Sequence, residues 1–175
     1  MKSNKLKNMM IDVLNMAHEK YEYKFQIINF SILNNHFHFI IKTEKGGPTI
    51  SQIMQFIKSQ YARRYNKMMN RIGPFWNERF RDKIIELAED PKYYFNNVCW
   101  YIAFNSTRKK YTNDPRDYKY CGINFFLDEN YVPPVKLTHH KYFIDLGKTF
   151  EERVKNFLVY EERYRKRLFQ DSFFV

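Results

Sequence analysis

Cysteine is scarce in this chain of 175 residues: only Cys99 and Cys121 occur. They form no Cys-x-x-Cys pattern and no disulfide framework, so a reducing cytoplasm is the simplest setting. Long apolar runs are missing too. A membrane-spanning helix needs about 18 or more consecutive apolar residues, and no such run exists. The opening "MKSNKLKNMMIDVLNMAHEKY" lacks the shape of a signal peptide, because Asp12, His18 and Glu19 interrupt any apolar core. No internal repeat is present. Acidic residues are in deficit: 19 Asp and Glu stand against 30 Lys and Arg, a formal charge of +11. That balance points to a polyanionic partner, nucleic acid first and an anionic membrane second. The basic C-terminal helix is diluted by Glu151, Glu152, Glu161 and Glu162, which argues against membrane binding.

What is present is apolar and aromatic. The chain is 44% hydrophobic and 19% aromatic, enough to bury a core, so disorder is not the default reading. Its length fits one domain with an added terminal element. We divide it into a main domain over 1–131 and a C-terminal extension with a basic helix over 132–175, on a weak linker signal near "VPPV".

Leu6, Met9, Met10, Val13, Leu14 and Ala17 make one stripe of a helix over 5–20. "YKFQIINFSIL" reads as a strand, "NN" as a turn, and "HFHFIIKT" as an antiparallel second strand. After "EKGGP", Thr49 or Ser51 caps a helix to about Asn70. "FWNERFRDKIIEL" alternates and predicts a third strand. Asp90-Pro91 then starts a helix to about Lys109. A last helix follows Thr149, which forms a capping box with Glu152. The order α-β-β-α-β-α plus a helical tail predicts an α+β, ferredoxin-like (RRM-like) antiparallel sheet with helices on one face.

Side chains alternate along a strand, so His36 and His38 share a face about 7 Å apart, while Phe37 and Phe39 point toward the helices. That places the histidines on the open face of the sheet. Neutral imidazoles there can bind a divalent cation given one or two more ligands; alone, the pair is equally an ordinary piece of strand. Tyr101 and Asn105 are four apart on a helix and share a face. A phenol is a poor nucleophile at neutral pH unless a metal polarises the phosphate it attacks. Asn105 offers a carbonyl oxygen of the kind a hard cation accepts.

A His-x-His strand followed by Tyr-x-x-x-Asn on a later helix resembles the HUH single-tyrosine nucleases, and specifically the REP-associated tyrosine transposases of bacterial insertion sequences. Four ordered blocks carry the resemblance: "NNHFHFIIK", with Asn35, His36 and His38; "RIGPFWNERF", with Gly73, Trp76, Arg79 and Phe80; "YIAFNSTRKKYTNDPRDYKYCG"; and "THHKYFIDLGKTFEERVKNFLVYEE". It implies that Tyr101 attacks a phosphodiester of single-stranded DNA near a hairpin, giving a 5′-phosphotyrosine and a free 3′-OH. His36, His38 and Asn105 would hold Mg²⁺ or Mn²⁺. Lys58, Arg63, Arg64, Lys67, Arg79 and Arg108 are candidate DNA contacts, and Trp76 a base-stacking residue. Tyr94 is the second candidate nucleophile. The expected setting is the bacterial cytoplasm, beside the nucleoid, as monomer or homodimer and away from membranes.

The chain departs from the family at Asn34, Ser106 and Lys109-Lys110, which replace a proline, a proline and a small-residue pair. The family's first strand is not seen, so the strand carrying His36 and His38 is expected to lose a neighbour and expose backbone groups. The alternative reading is a catalytically impaired or domesticated DNA-hairpin-binding protein. An RNA recognition module is disfavoured, because its Gly-aromatic-Gly-aromatic signature is missing.

Overall fold

The structure, a computed structural model, describes residues 3–76 and 78–171. Its main elements are α1 (Asn4–Lys20), β1 (Phe25–Ile32), β2 (Phe37–Thr43), α2 (Ile50–Met68), α3 (Pro91–Arg108), the single turn α4 (Lys141–Ile144) and α5 (Phe150–Asp171). The fold is α+β around an antiparallel sheet, as the sequence predicts.

The helix starts follow from local chemistry. The Thr49 side chain accepts from the Gln52 amide and the Gln52 side chain reaches back, a reciprocal cap that opens α2. Asp90 accepts from the Tyr93 amide ahead of Pro91 and opens α3. Thr149 Oγ1 accepts from the Glu152 amide, and the Glu152 carboxylate accepts from the Thr149 amide, at the head of α5.

β1 and β2 pair antiparallel, with Phe30 opposite Phe39 and Ser31 opposite His38, and the register slips between Ile27 and Asn29. That extra residue is a bulge. β1 is buried nearly throughout, which requires cover on both faces. On one face, Phe37 meets Trp76 and Phe25 meets His18 and Tyr21, so α1 and α2 lie there. On the other, Tyr101 of α3 meets His38, and α3 packs along β1. The face expected to be open therefore carries α3.

The two edges of the sheet differ. The outer edge of β1 is covered: the Ile32 amide donates to the Tyr120 carbonyl, the Gly122 amide to the Phe30 carbonyl, and the Tyr118 hydroxyl to the Ile32 carbonyl. A Cβ at Gly122 would stand 2.8 Å from Asn29 Oδ1 and 3.0 Å from Leu137 Cδ1, so any larger residue there would push buried side chains aside. The outer edge of β2 has no strand beside it among the described residues, as the missing first strand implies.

The third strand expected over 75–87 does not form. Apart from Asn77, which lies outside the described residues, the segment is irregular and ends in a short 3₁₀ turn at Ile85–Leu87. Phe75, Trp76, Phe80 and Ile85 pack against the core while Arg79 and residues 81–84 are exposed, so the buried positions are adjacent or four and five apart and do not keep the two-residue repeat of a strand. A strand also needs a ladder partner for its backbone groups. The nearest free edge, β2, stands across a cleft lined by both segments. Gly73, at φ +104°, turns the chain back from α2 so that Phe75 and Trp76 reach Tyr61.

The C-terminal extension joins the same buried core. Trp100 stacks on Phe157 with centroids 5.0 Å apart, and its indole N–H donates to the Phe157 carbonyl at 3.1 Å. Buried Glu161 accepts from Arg116 and Arg165, fastening α5 to the loop after α3.

Candidate active site

A cleft of about 1780 Å³ lies between β2 and residues 75–86, with α3 along its floor. His36, His38 and Tyr101 line it together. Two local periodicities bring them there. Alternation along β2 puts both imidazoles on the α3 side, 5.0 Å apart between ring centroids. The helical repeat of α3 sets Tyr93, Asn97, Tyr101 and Asn105 in one file. The His38 and Tyr101 rings meet edge to face, with centroids 5.7 Å apart.

Both imidazoles are held neutral. Burial, reinforced by the charge of Lys109, lowers the pKa of His36. Burial, then His36 and Arg108, takes that of His38 down to about 4. The neutral ring is the form that binds a metal. His36 Nδ1 lies 2.7 Å from Asn35 Oδ1, which can only accept, so Nδ1 carries the proton and Nε2 keeps its lone pair. His38 Nε2 is buried with no hydrogen-bond partner among the described residues, a costly state unless something else binds it. The Asn105 amide donates to the Tyr101 carbonyl at 2.8 Å, leaving its Oδ1 as an oxygen donor.

The two neutral imidazoles thus fit a divalent cation, whereas Asn105, the third expected ligand, lies one turn beyond Tyr101 on α3 and is not among the residues lining the cleft. Among the described residues no three His, Cys, Asp or Glu side chains cluster, so the ligand set carries no negative charge. Such a set suits a cation that shares its coordination with water and a substrate phosphate.

Tyr101 is 40% exposed and faces the cleft, so its hydroxyl is reachable by a polymer substrate. Tyr94, the second candidate nucleophile, lines the same cleft. Lys58 and Arg79 line it as well, joined by Lys42, Arg81 and Lys83. The Lys58 ammonium stands over the Trp76 ring at 5.5 Å and donates to the Glu78 carbonyl. Trp76 is half-buried against Phe37, Tyr61 and Phe75, and its indole N–H donates to the Lys58 carbonyl at 2.8 Å. The Arg108 guanidinium lies over the Tyr101 ring at 5.9 Å.

Arg63, Arg64 and Lys67 are not among the cleft residues. They are exposed on α2, and Arg64 donates to Met16 Sδ on α1. Tyr164 and Arg167 of α5 do line the cleft, and sequence reading did not single them out. Their only sequence signal was membership of an amphipathic helix, which says nothing of what that helix packs against.

No helix among the described residues is long and apolar enough to cross a membrane. Comparison with curated proteins and with solved structures finds no match. A family model described as "Transposase IS200 like" matches residues 2–103, more than half of the chain, and the match takes in His36, His38 and Tyr101. The chain belongs to the IS200-like transposase family, whose members process DNA in transposition.

Proposed function

We propose that this protein nicks and rejoins single-stranded DNA near hairpins by transesterification, with Tyr101 as nucleophile, in the manner of a REP-associated tyrosine transposase. The observation that carries the reading is the buried, unpartnered Nε2 of His38 beside Tyr101, with Asn105 one turn further along α3.

In the cleaving step the Tyr101 phenolic oxygen bonds to phosphorus and the bond from phosphorus to the 3′ oxygen breaks. The phenolic proton leaves to solvent, and the departing oxygen takes up a proton as a free 3′-OH. One phosphodiester replaces another, so a 3′-OH can reverse the step and join strands. Mg²⁺ or Mn²⁺ held by His36, His38 and Asn105 would polarise the scissile phosphate and offset its charge. The residues of the chain do the rest. α3 carries Tyr101 at the cleft surface, Asn35 fixes the His36 tautomer, and Lys58 and Arg79 meet the phosphate backbone. Single-stranded DNA as substrate fits the +11 charge and places the protein beside the nucleoid.

The test uses hairpin oligonucleotides labelled at either end, incubated with the protein and Mn²⁺ and run on a denaturing gel. A covalent adduct carrying the label 3′ of the cut supports the reading. No adduct with any hairpin substrate favours a protein that binds hairpins without cleaving them.

A further inference from the structure

Asn97 and Tyr93 stand one and two turns before Tyr101 in the same file of α3, and both line the cleft. The reaction proposed above uses neither. Both reach α5. The Asn97 amide donates to the Tyr93 carbonyl at 2.7 Å, which turns its Oδ1 to accept from Arg167. The Arg167 guanidinium also lies over the Tyr164 ring at 5.8 Å, and Tyr164 and Arg167 line the cleft too. One turn earlier on α5 the pattern repeats just beyond the cleft. Arg163 lies over the Tyr160 ring at 5.8 Å, and that ring meets Tyr93 with centroids 5.8 Å apart. α5 thus sets two Tyr-x-x-Arg units, 160–163 and 164–167, beside the file that leads to Tyr101.

The charges of these two arginines are unspent. Arg116 and Arg165 pair with Asp114 and Glu161, but no carboxylate pairs with Arg163 or Arg167 among the described residues. Both are exposed. A free arginine on a surface samples many rotamers, whereas the bond to Asn97 and the ring of Tyr164 fix Arg167 at the cleft wall and leave most of its five N–H donors open. Tyr93 is 40% exposed and presents a ring to the same space.

We propose that the wall between α3 and α5 is a binding track for the single strand that flanks the scissile phosphate: Arg167 and Arg163 pair with backbone phosphates, and Tyr93 stacks a base. The inference rests on the reading that Tyr101 attacks single-stranded DNA. It extends that site by about 12 Å, the rise of α3 from Tyr93 to Tyr101. The two arginines stand about 6 Å apart along α5, close to the spacing of neighbouring phosphates in an extended strand. A planar guanidinium suits a phosphate, and an aromatic ring takes any base. All of α5 lies outside the residues matched to the family.

The test is a binding titration of the full chain, without divalent cation so that no cleavage intervenes. The probes are a fluorescent hairpin oligonucleotide with a single-stranded tail and the same hairpin without one. On the tailed probe, Arg167→Gln and Arg163→Gln should each lower the slope of log affinity against log salt by about 0.7, one single-strand phosphate contact. Arg167→Lys should keep the slope. Tyr93→Leu should weaken binding by about 10-fold and leave the slope unchanged. On the blunt probe all four variants should match the wild type. Unchanged slopes in both glutamine variants overturn the track, and so do equal losses on both probes, which would put the arginines on the duplex. If the wild type gains no affinity from the tail, the single-strand reading falls and the track falls with it.

Discussion

His38 and Tyr101, one from β2 and one from α3, meet edge to face at 5.7 Å between ring centroids, with the His38 Nε2 buried and unpartnered beside them. A strand and a helix far apart in the chain thereby place an imidazole lone pair next to a phenol. No described residue hydrogen-bonds to that nitrogen, and burial takes the pKa of the ring down to about 4, which keeps it neutral. A ligand from outside the chain is the natural partner.

The first prediction concerns that ligand. Mn²⁺ binding, followed by the loss of the free-ion EPR signal, should be weak in the protein alone and tighter when an oligonucleotide supplies phosphate oxygens. His38→Ala should reduce this binding by about 10-fold or more, the range that loss of metal-site contacts produces. His36→Ala should abolish cleavage while DNA affinity stays close to that of the wild type. If affinity falls as far as cleavage does, His36 is a DNA contact or a structural residue.

A second prediction separates the basic residues by position. Arg79 lines the cleft, whereas Arg63 is exposed on α2 and is not among its lining residues. Arg79→Ala should lower the slope of log affinity against log salt by about one phosphate contact. Arg63→Ala should leave the slope unchanged. Equal effects from the two variants would place the DNA track across α2 instead of the cleft.

The shared face of each residue pair was legible in the sequence because each obeys a local period: two residues along a strand for His36 and His38, four along a helix for Tyr101 and Asn105. Capping chemistry was equally local, and Thr49, Asp90 and Thr149 start their helices as expected. The third strand was misread for the opposite reason. "FWNERFRDKIIEL" mixes aromatic and charged residues as a half-buried strand does, but pairing depends on a partner edge elsewhere in the chain, and a cleft lies in its place. Tyr164 escaped notice likewise, since its stack on Phe104 and its place in the cleft depend on how α5 packs on α3. The cover of α3 over the histidines also required the assembled fold.

A third prediction follows from His18. It is 3% exposed, its Nδ1 has no partner, and burial, aided by Lys136, lowers its pKa to about 4 from an ordinary 6.5. Between those values the unfolded chain binds the proton more readily than the folded one. Stability is therefore complete above about pH 6.5 and declines as pH falls toward 4. His18 alone accounts for up to about 3 kcal/mol of this, because each tenfold loss of proton affinity on folding is worth about 1.4 kcal/mol. Urea denaturation between pH 7 and pH 4 should show the decline, and His18→Gln should flatten it. An unchanged slope in that variant would assign the effect to other histidines.

A fourth prediction tests the bond between α5 and the rest of the molecule. Trp100→Ala removes the stack on Phe157 and the indole hydrogen bond, and should cost about 3–5 kcal/mol in denaturant unfolding. A loss below about 1 kcal/mol would mean that α5 is only loosely held, and the cleft wall formed by Tyr164 and Arg167 could not then be rigid.

The most direct measurement identifies the attachment point. The covalent DNA adduct, formed with Mn²⁺ and trimmed by nuclease and protease, is sequenced by tandem mass spectrometry. The account predicts a phosphonucleotide on Tyr101, and no adduct from Tyr101→Phe. A modification found on Tyr94 or Tyr93, or an adduct that persists in Tyr101→Phe, would contradict it.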